Sequence, residues 1–220
     1  MIPDPVGTVR CKIFPPYRLD DILREGYGFD GSSCGFCGVE DSDLLAVPDP
    51  GTRLEFDGHV LFICDVYKGE GRYEMDSRLA LEKALSHLAE HGFEVISGVE
   101  MEFYVMKGPS PLSVLDPWRY MEPPLSPEVE DLLLSLAKAI EDTGMRIAFF
   151  HHEVGPGQYE MTLEESGPRE LADKILLFKW VAKRHMARRG FKATFMPKPF
   201  IDRAGSGMHL HVSLVRDGKS

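Results

Sequence analysis

At 220 residues the chain is long enough to bury a substantial core, and its 43% hydrophobic and 27% charged residues exclude the disordered, collagen-like and fibrous classes. The 25 basic residues against 35 acidic ones argue against a basic face for nucleic acid or for anionic membranes. No window approaches the roughly 18 apolar residues of a membrane span, and Met1-Ile2-Pro3-Asp4-Pro5 lacks the features of a secretory signal, so the cytoplasm is the expected location.

Residues 1–74 read as a turn-rich, short-stranded mixed domain. Val9 to Phe14 alternates with period two, and His59 to Tyr67 reads as one buried strand. Proline and glycine clusters separate such runs. Cys34 and Cys37 form a lone C-x-x-C in a glycine-rich loop with no helical period. That leaves a redox pair, half a zinc site, or small residues in a tight loop, and the last is favoured.

From residue 75 onwards helices alternate with strands. Asp76 or Ser77 caps a helix with the stripe Leu81, Ala84, Leu85 and Leu88, stopped by Gly92. Ser126-Pro127-Glu128 opens a second, whose Val129, Leu132, Leu133, Leu136, Ala137 and Ile140 keep a helical period until Gly144. A third begins near Pro168, carries Leu171, Ile175 and Phe178, and ends in basic residues before Gly190. Strands are expected at about 93–106, 145–154, 158–164, 191–198 and 206–216. Asp217-Gly218 is a hairpin-turn signal two residues before the end, so the sequence is expected to stop inside a structural unit.

The chemistry-bearing residues fall on separate strands. Glu100 and Glu102 are two apart, which puts both carboxylates on one strand face, and His209 and His211 do the same with imidazoles. His151-His152-Glu153 ends one strand, and Glu160 begins the next after a Gly155-Pro156-Gly157 turn. Each pair alone fits a solvated face. Together, carboxylates on adjacent strands repel unless cations neutralise them, and Glu oxygens with an occasional His suit Mg²⁺ or Mn²⁺. Two such ions favour phosphoryl transfer.

The segments Tyr27 to Ser33, Gly98 to Phe103, His151 to Gln158, Phe195 to Pro199 and Gly205 to His209 resemble, in order and spacing, the successive signatures of glutamine synthetase. The resemblance covers the chain from about residue 4. It implies an α+β protein: a β-grasp-like amino-terminal domain (1–74), then a carboxy-terminally truncated catalytic domain (75–220), an antiparallel sheet with flanking helices. It also implies that Glu102, Glu153 and Glu160 bind one metal ion, and that Glu100 and His209 bind the second with a later Glu. His211 and Ser213 match positions near ATP, and Gly205 matches one beside the amino-acid substrate. Asp30 matches the residue that binds and helps deprotonate ammonium, on a loop donated by a neighbouring subunit of stacked hexameric rings. The implied reaction is ATP-dependent amidation of the glutamate γ-carboxylate by ammonia, through a γ-glutamyl phosphate.

Three departures accompany the resemblance. The amino terminus is short of the family's first helix and strand. The carboxy-terminal half, with its last metal carboxylate, flap glutamate and arginines, has no counterpart. Ala204 stands where Asn usually precedes Gly-Ser-Gly, and Ala148 where a nucleotide-contacting Glu is common. Besides the synthetase itself, present as a fragment or as one piece of a split enzyme whose missing half a second polypeptide supplies, two alternatives follow. One is a paralogous ligase using another amine. The other is a catalytically incomplete metal- or nucleotide-binding or interaction module.

Overall fold

The computed structural model describes residues 1–107 and 114–218, in two compact units, Met1–Glu94 with 215–218 and Val95–Leu214. In the first unit, β3 (Tyr27–Asp30), β4 (Asp43–Pro48), β7 (Cys64–Lys68) and β8 (Gly71–Arg72) form an antiparallel sheet in that order. Two ribbons accompany it, β1 (Ile2–Pro3) with β2 (Val9–Arg10), and β5 (Leu54–Phe56) with β6 (His59–Leu61). Strand β4 alternates strictly, and its Leu44 and Ala46 join Ile2, Tyr27, Phe36, Cys64 and Val66 in the core. Cys34 and Cys37 are free thiols packed against that core.

Three details of this unit differ from the sequence expectation. A short helix, α1 (Leu19–Glu25), follows Pro15-Pro16 without any side-chain cap, and its start is marked by Asp20 and Asp21 in the first turn. Only Val9–Arg10 of the alternating run is strand. The run from His59 to Tyr67 is not one strand: it splits at Phe62-Ile63 into β6 and β7, which belong to different sheets. The turn before β6 is Asp57-Gly58, both at positive φ (57° and 75°), and it folds β6 back onto β5. Helix α2 (Ser77–Glu90) is capped by Asp76, which accepts from the Arg78 amide at 3.0 Å. It is anchored by the buried Arg78, whose guanidinium meets Asp49 at 2.8 Å and also Asp65.

In the second unit the 14-residue β9 (Glu94–Lys107) is the central strand. It pairs with β11 (Gln158–Ser166) on one side, and β11 pairs with β10 (Ile147–His152). On β9 also pair β12 (Phe191–Thr194) and β13 (Met208–Val215). Helices α3 (Pro127–Glu141) and α4 (Pro168–Arg188) pack on this sheet. The predicted α3 stripe is the buried one, all six residues of it. Ser126 stands at its N-cap, but its backbone carbonyl, not its hydroxyl, accepts the first amides. Val99, Met101, Phe103, Met161 and Leu163 fill the core, each at 2% exposure or less. By the two-residue period of strands, Glu100 and Glu102 therefore lie on the opposite face. At the end of β13, Asp217 and Gly218 both adopt positive φ (52° and 71°), as the Asp-Gly signal predicts.

Candidate metal centre

Strand register assembles the acidic face. Glu102 of β9 lies opposite Glu160 of β11, which lies opposite His151 of β10, so three predicted polar positions form one row across three strands. In the next row Glu100 lies opposite Thr162. His209 and His211 of β13 reach the same carboxylates: His209 Nδ1 is 3.0 Å from Glu100 Oε2, and His211 Nε2 is 3.1 Å from Glu100 Oε1. Glu153, just past β10, is 3.2 Å from His151 Nε2.

Two groups of three could each hold a cation. Donor atoms of Glu100, Glu160 and His209 lie within 4.8 Å of one another, and so do those of His151, Glu153 and Glu160. Glu160 belongs to both and is buried at 6% exposure. Burial raises its carboxyl pKa above the ordinary value, and the charge of Glu100 raises it further, while His151 opposes. His209 is shifted upward mainly by its hydrogen bond with Glu100. Glu102 stands beside the first group, with Oε1 4.0 Å from His209 Nε2 and Oε2 accepting from Gln158 Nε2 at 3.0 Å. A buried carboxylate ringed by others is costly as an anion, and oxygen donors with imidazole are the set that Mg²⁺ or Mn²⁺ prefers.

The glycine-rich loop before β13 shapes one edge. Gln158 Nε2 also donates to the Gly205 carbonyl at 2.8 Å, and Tyr104 Oη donates to the Ala204 carbonyl at 2.8 Å. A Cβ on Gly205 would sit 2.8 Å from the Pro197 carbonyl oxygen. A Cβ on Gly207 would sit 2.8 Å from His209 Nε2 and 3.1 Å from Glu102 Oε1. At Gly205 the facing backbone carbonyl demands glycine, whereas at Gly207 a methyl would press only on movable side-chain tips; neither position needs a special φ.

Ser213 is exposed on β13, on the same strand face as His209 and His211. Asp30 lies at the end of β3 in the first unit, exposed. Its carboxylate accepts from the Ser32 and Ser33 hydroxyls at 2.6 and 2.7 Å, which pull its pKa down to about 2. Three participants were given no ligand or substrate role in the sequence reading: His151, Gln158, and a buried Asp116 behind His152. His151 was visible as a neighbour of Glu153. Gln158 carried a signal only as the close of the family-like segment from His151 to Gln158, and Asp116 carried none.

A β-grasp unit followed by an antiparallel-sheet unit with a cation-compatible acidic face defines the class of protein. Comparison with known proteins gives the family. The family "Glutamine synthetase, beta-Grasp domain" matches residues 2–69, and "Glutamine synthetase, catalytic domain" matches 74–220. A glutamine synthetase of Pyrococcus horikoshii is 37% identical over 97% of this chain and 49% of its own length. One from Thermus thermophilus is 35% identical over 100% and 53%. The solved GmaS/ADP complex (conformation 1) superposes with a TM-score of 0.91 at 27% identity, over 100% of this chain and 53% of that one. The chain belongs to the glutamine synthetase family. It spans about half the length of the curated relatives it matches.

Proposed function

We propose that the protein carrying this chain is a glutamine synthetase-type ligase, which amidates the glutamate γ-carboxylate with ammonia at the expense of ATP, through a γ-glutamyl phosphate. The observation that carries this reading is the row Glu102–Glu160–His151 with Glu100 and His209 beside it, in a chain of this family. Glu102, Glu153 and Glu160 would hold one divalent ion, and Glu100 and His209 the second. Such ions neutralise charge on nucleotide phosphates and on a substrate carboxylate. His211 and Ser213 would lie towards the nucleotide, and Gly205 towards the amino acid. In this reading the domain division falls at 74/75, ahead of α2, although α2 belongs to the first compact unit, and consumption of ATP fits a cytoplasmic location.

Asp30 acts in this reading from a neighbouring subunit of a ring. With its pKa near 2 it stays ionised at neutral pH and is a weak base, so it holds the ammonium cation by charge. A second reading, a ligase for a different amine, is favoured by Ala204: its carbonyl is anchored by Tyr104, yet it offers only a methyl at a position beside the substrate loop.

The test is formation of γ-glutamyl hydroxamate by the purified protein from glutamate, hydroxylamine, ATP and Mg²⁺, followed by competition between ammonium and alkylamines, with light scattering for assembly. Product suppressed by ammonium supports the synthetase, and product suppressed only by alkylamines supports the second reading. No product, with nucleotide and Mn²⁺ still bound, overturns both.

A further inference from the structure

Behind the acidic face lies a buried polar group that the reaction as proposed does not use. Asp116, His152 and Tyr159 are 6%, 4% and 1% exposed. Asp116 Oδ1 lies 2.7 Å from His152 Nε2 and also accepts from the Trp118 amide at 3.1 Å, while Oδ2 accepts from the Tyr159 hydroxyl. On the other side of the ring, His152 Nδ1 lies 2.5 Å from the carbonyl oxygen of Glu153. Each imidazole nitrogen thus faces an oxygen atom, which holds the ring in one orientation. The Tyr159 ring packs on it at 5.1 Å between centroids and 74°.

The loop around Asp116 is itself held to the end of β10. The Met121 amide donates to the His152 carbonyl at 2.9 Å, and Met121 is kept at φ 56°, a conformation an unbranched residue adopts only when its surroundings impose it. The Glu153 amide donates to the Gln158 carbonyl at 2.8 Å. Glu153 is therefore fixed at its amide by the turn and at its carbonyl by the imidazole.

We propose that His152, braced by Asp116 and Tyr159, is a positioning residue that sets the peptide of Glu153 and thereby the donor geometry of the divalent-ion site. The inference rests on the metal reading given above. Groups that orient metal ligands through a hydrogen bond typically change metal affinity about 10–100-fold when removed.

The experiment measures Mn²⁺ affinity by calorimetry on the full protein, with thermal unfolding recorded beside it. Asp116→Asn keeps the volume and removes the charge that braces the ring, and its Mn²⁺ dissociation constant is expected to rise about tenfold or more. Tyr159→Phe keeps the ring packing and removes one hydrogen bond on Asp116, so a smaller rise, about threefold, is expected even if Asp116→Asn fails to fold. Glu153→Ala is the reference. If Glu153→Ala weakens Mn²⁺ binding while both other variants bind like wild type, the positioning role is overturned and the metal reading stands. If Glu153→Ala itself binds Mn²⁺ like wild type, the metal reading has failed. Lower melting temperature with unchanged Mn²⁺ affinity would mean that the buried group only holds the fold.

Discussion

Replacing Glu160 by Gln separates what the acidic face does for the ion-free fold from what it does for the bound state. In the native sheet Glu160 is 6% exposed, and a carboxylate oxygen of it lies within 4.8 Å of one on Glu100 and, separately, of one on Glu153. Two full charges 4.8 Å apart interact by about 3.5 kcal/mol at an effective dielectric of about 20. Where protonated, His151 and His209 offset part of this, so we take a net relief of about 1–2 kcal/mol in the neutral isostere. For a chain of this size that is about 3–6 °C in melting temperature. With Mn²⁺ at about 100 times its dissociation constant the wild type gains about 2.7 kcal/mol, whereas Glu160→Gln has lost a charged donor from both groups and gains little. The order of stabilities should invert: the variant more stable without Mn²⁺, the wild type more stable with it. Tryptophan fluorescence during thermal unfolding reads the right unit, because both tryptophans, Trp118 and Trp180, lie within 95–214. A variant no more stable than wild type without metal, or one with the same Mn²⁺ response, would refute the reasoning.

Other perturbations test separate parts of the structure. Arg78→Ala removes the buried guanidinium that Asp49 and Asp65 share, leaving Asp65 its contact with Arg72 at 3.1 Å, and should cost about 3 kcal/mol in urea unfolding, with Arg78→Lys in between because an ammonium cannot span both acids. His185, buried between α3 and α4 with Ser135 Oγ at 3.0 Å and Arg189 near its other nitrogen, is lowered to about 4, first by burial and then by Arg189. Its native pKa lies below its unfolded value, so its stabilisation is complete above about pH 6.5 and falls as pH drops towards 4, by about 3 kcal/mol at most. The stability difference between wild type and His185→Gln should narrow across that window, and a constant difference would contradict the assignment. Gly207→Ala pushes on the tips of His209 and Glu102, which can swing aside, so Mn²⁺ affinity should fall about tenfold with little change in melting temperature.

What was legible in the sequence is what strand and helix periods encode. The six buried residues of α3 follow from a 3.6-residue stripe, and the shared face of Glu100 and Glu102 follows from a two-residue period. The split between β6 and β7 was not legible, because Phe62-Ile63 continues the apolar run and nothing local marks a change of sheet. The Asp57-Gly58 turn was legible in principle, being the same dipeptide as Asp217-Gly218, and would have placed β5 against β6. The pairing of Asp116 with His152 joins residues 36 apart through a loop, and no spacing rule predicts such a contact. His151 could have been added to the ligand candidates, since the register that brings Glu160 opposite Glu102 also brings it opposite His151, but register is a tertiary fact.

That dependence on register ties the site to the core. A slip of β9 by one residue would exchange Val99, Met101 and Phe103 for Glu100, Glu102 and Tyr104 against α4, and would turn two carboxylates into an apolar interior. Burying two unpaired carboxylates, even after they take up protons, costs several kcal/mol each, comparable with a typical domain's margin of about 5–15 kcal/mol, so the slipped sheet is strongly disfavoured. The same acids that repel one another across the face therefore fix which face is outside. Neutralising one of them, as in Glu160→Gln, relieves repulsion on the face but leaves Glu100 and Glu102 to hold the register. Removing both charges on β9 weakens the register itself. Relief on this face should for that reason be non-additive: the first neutral substitution stabilises, and the paired change at Glu100 and Glu102 does not repeat the gain.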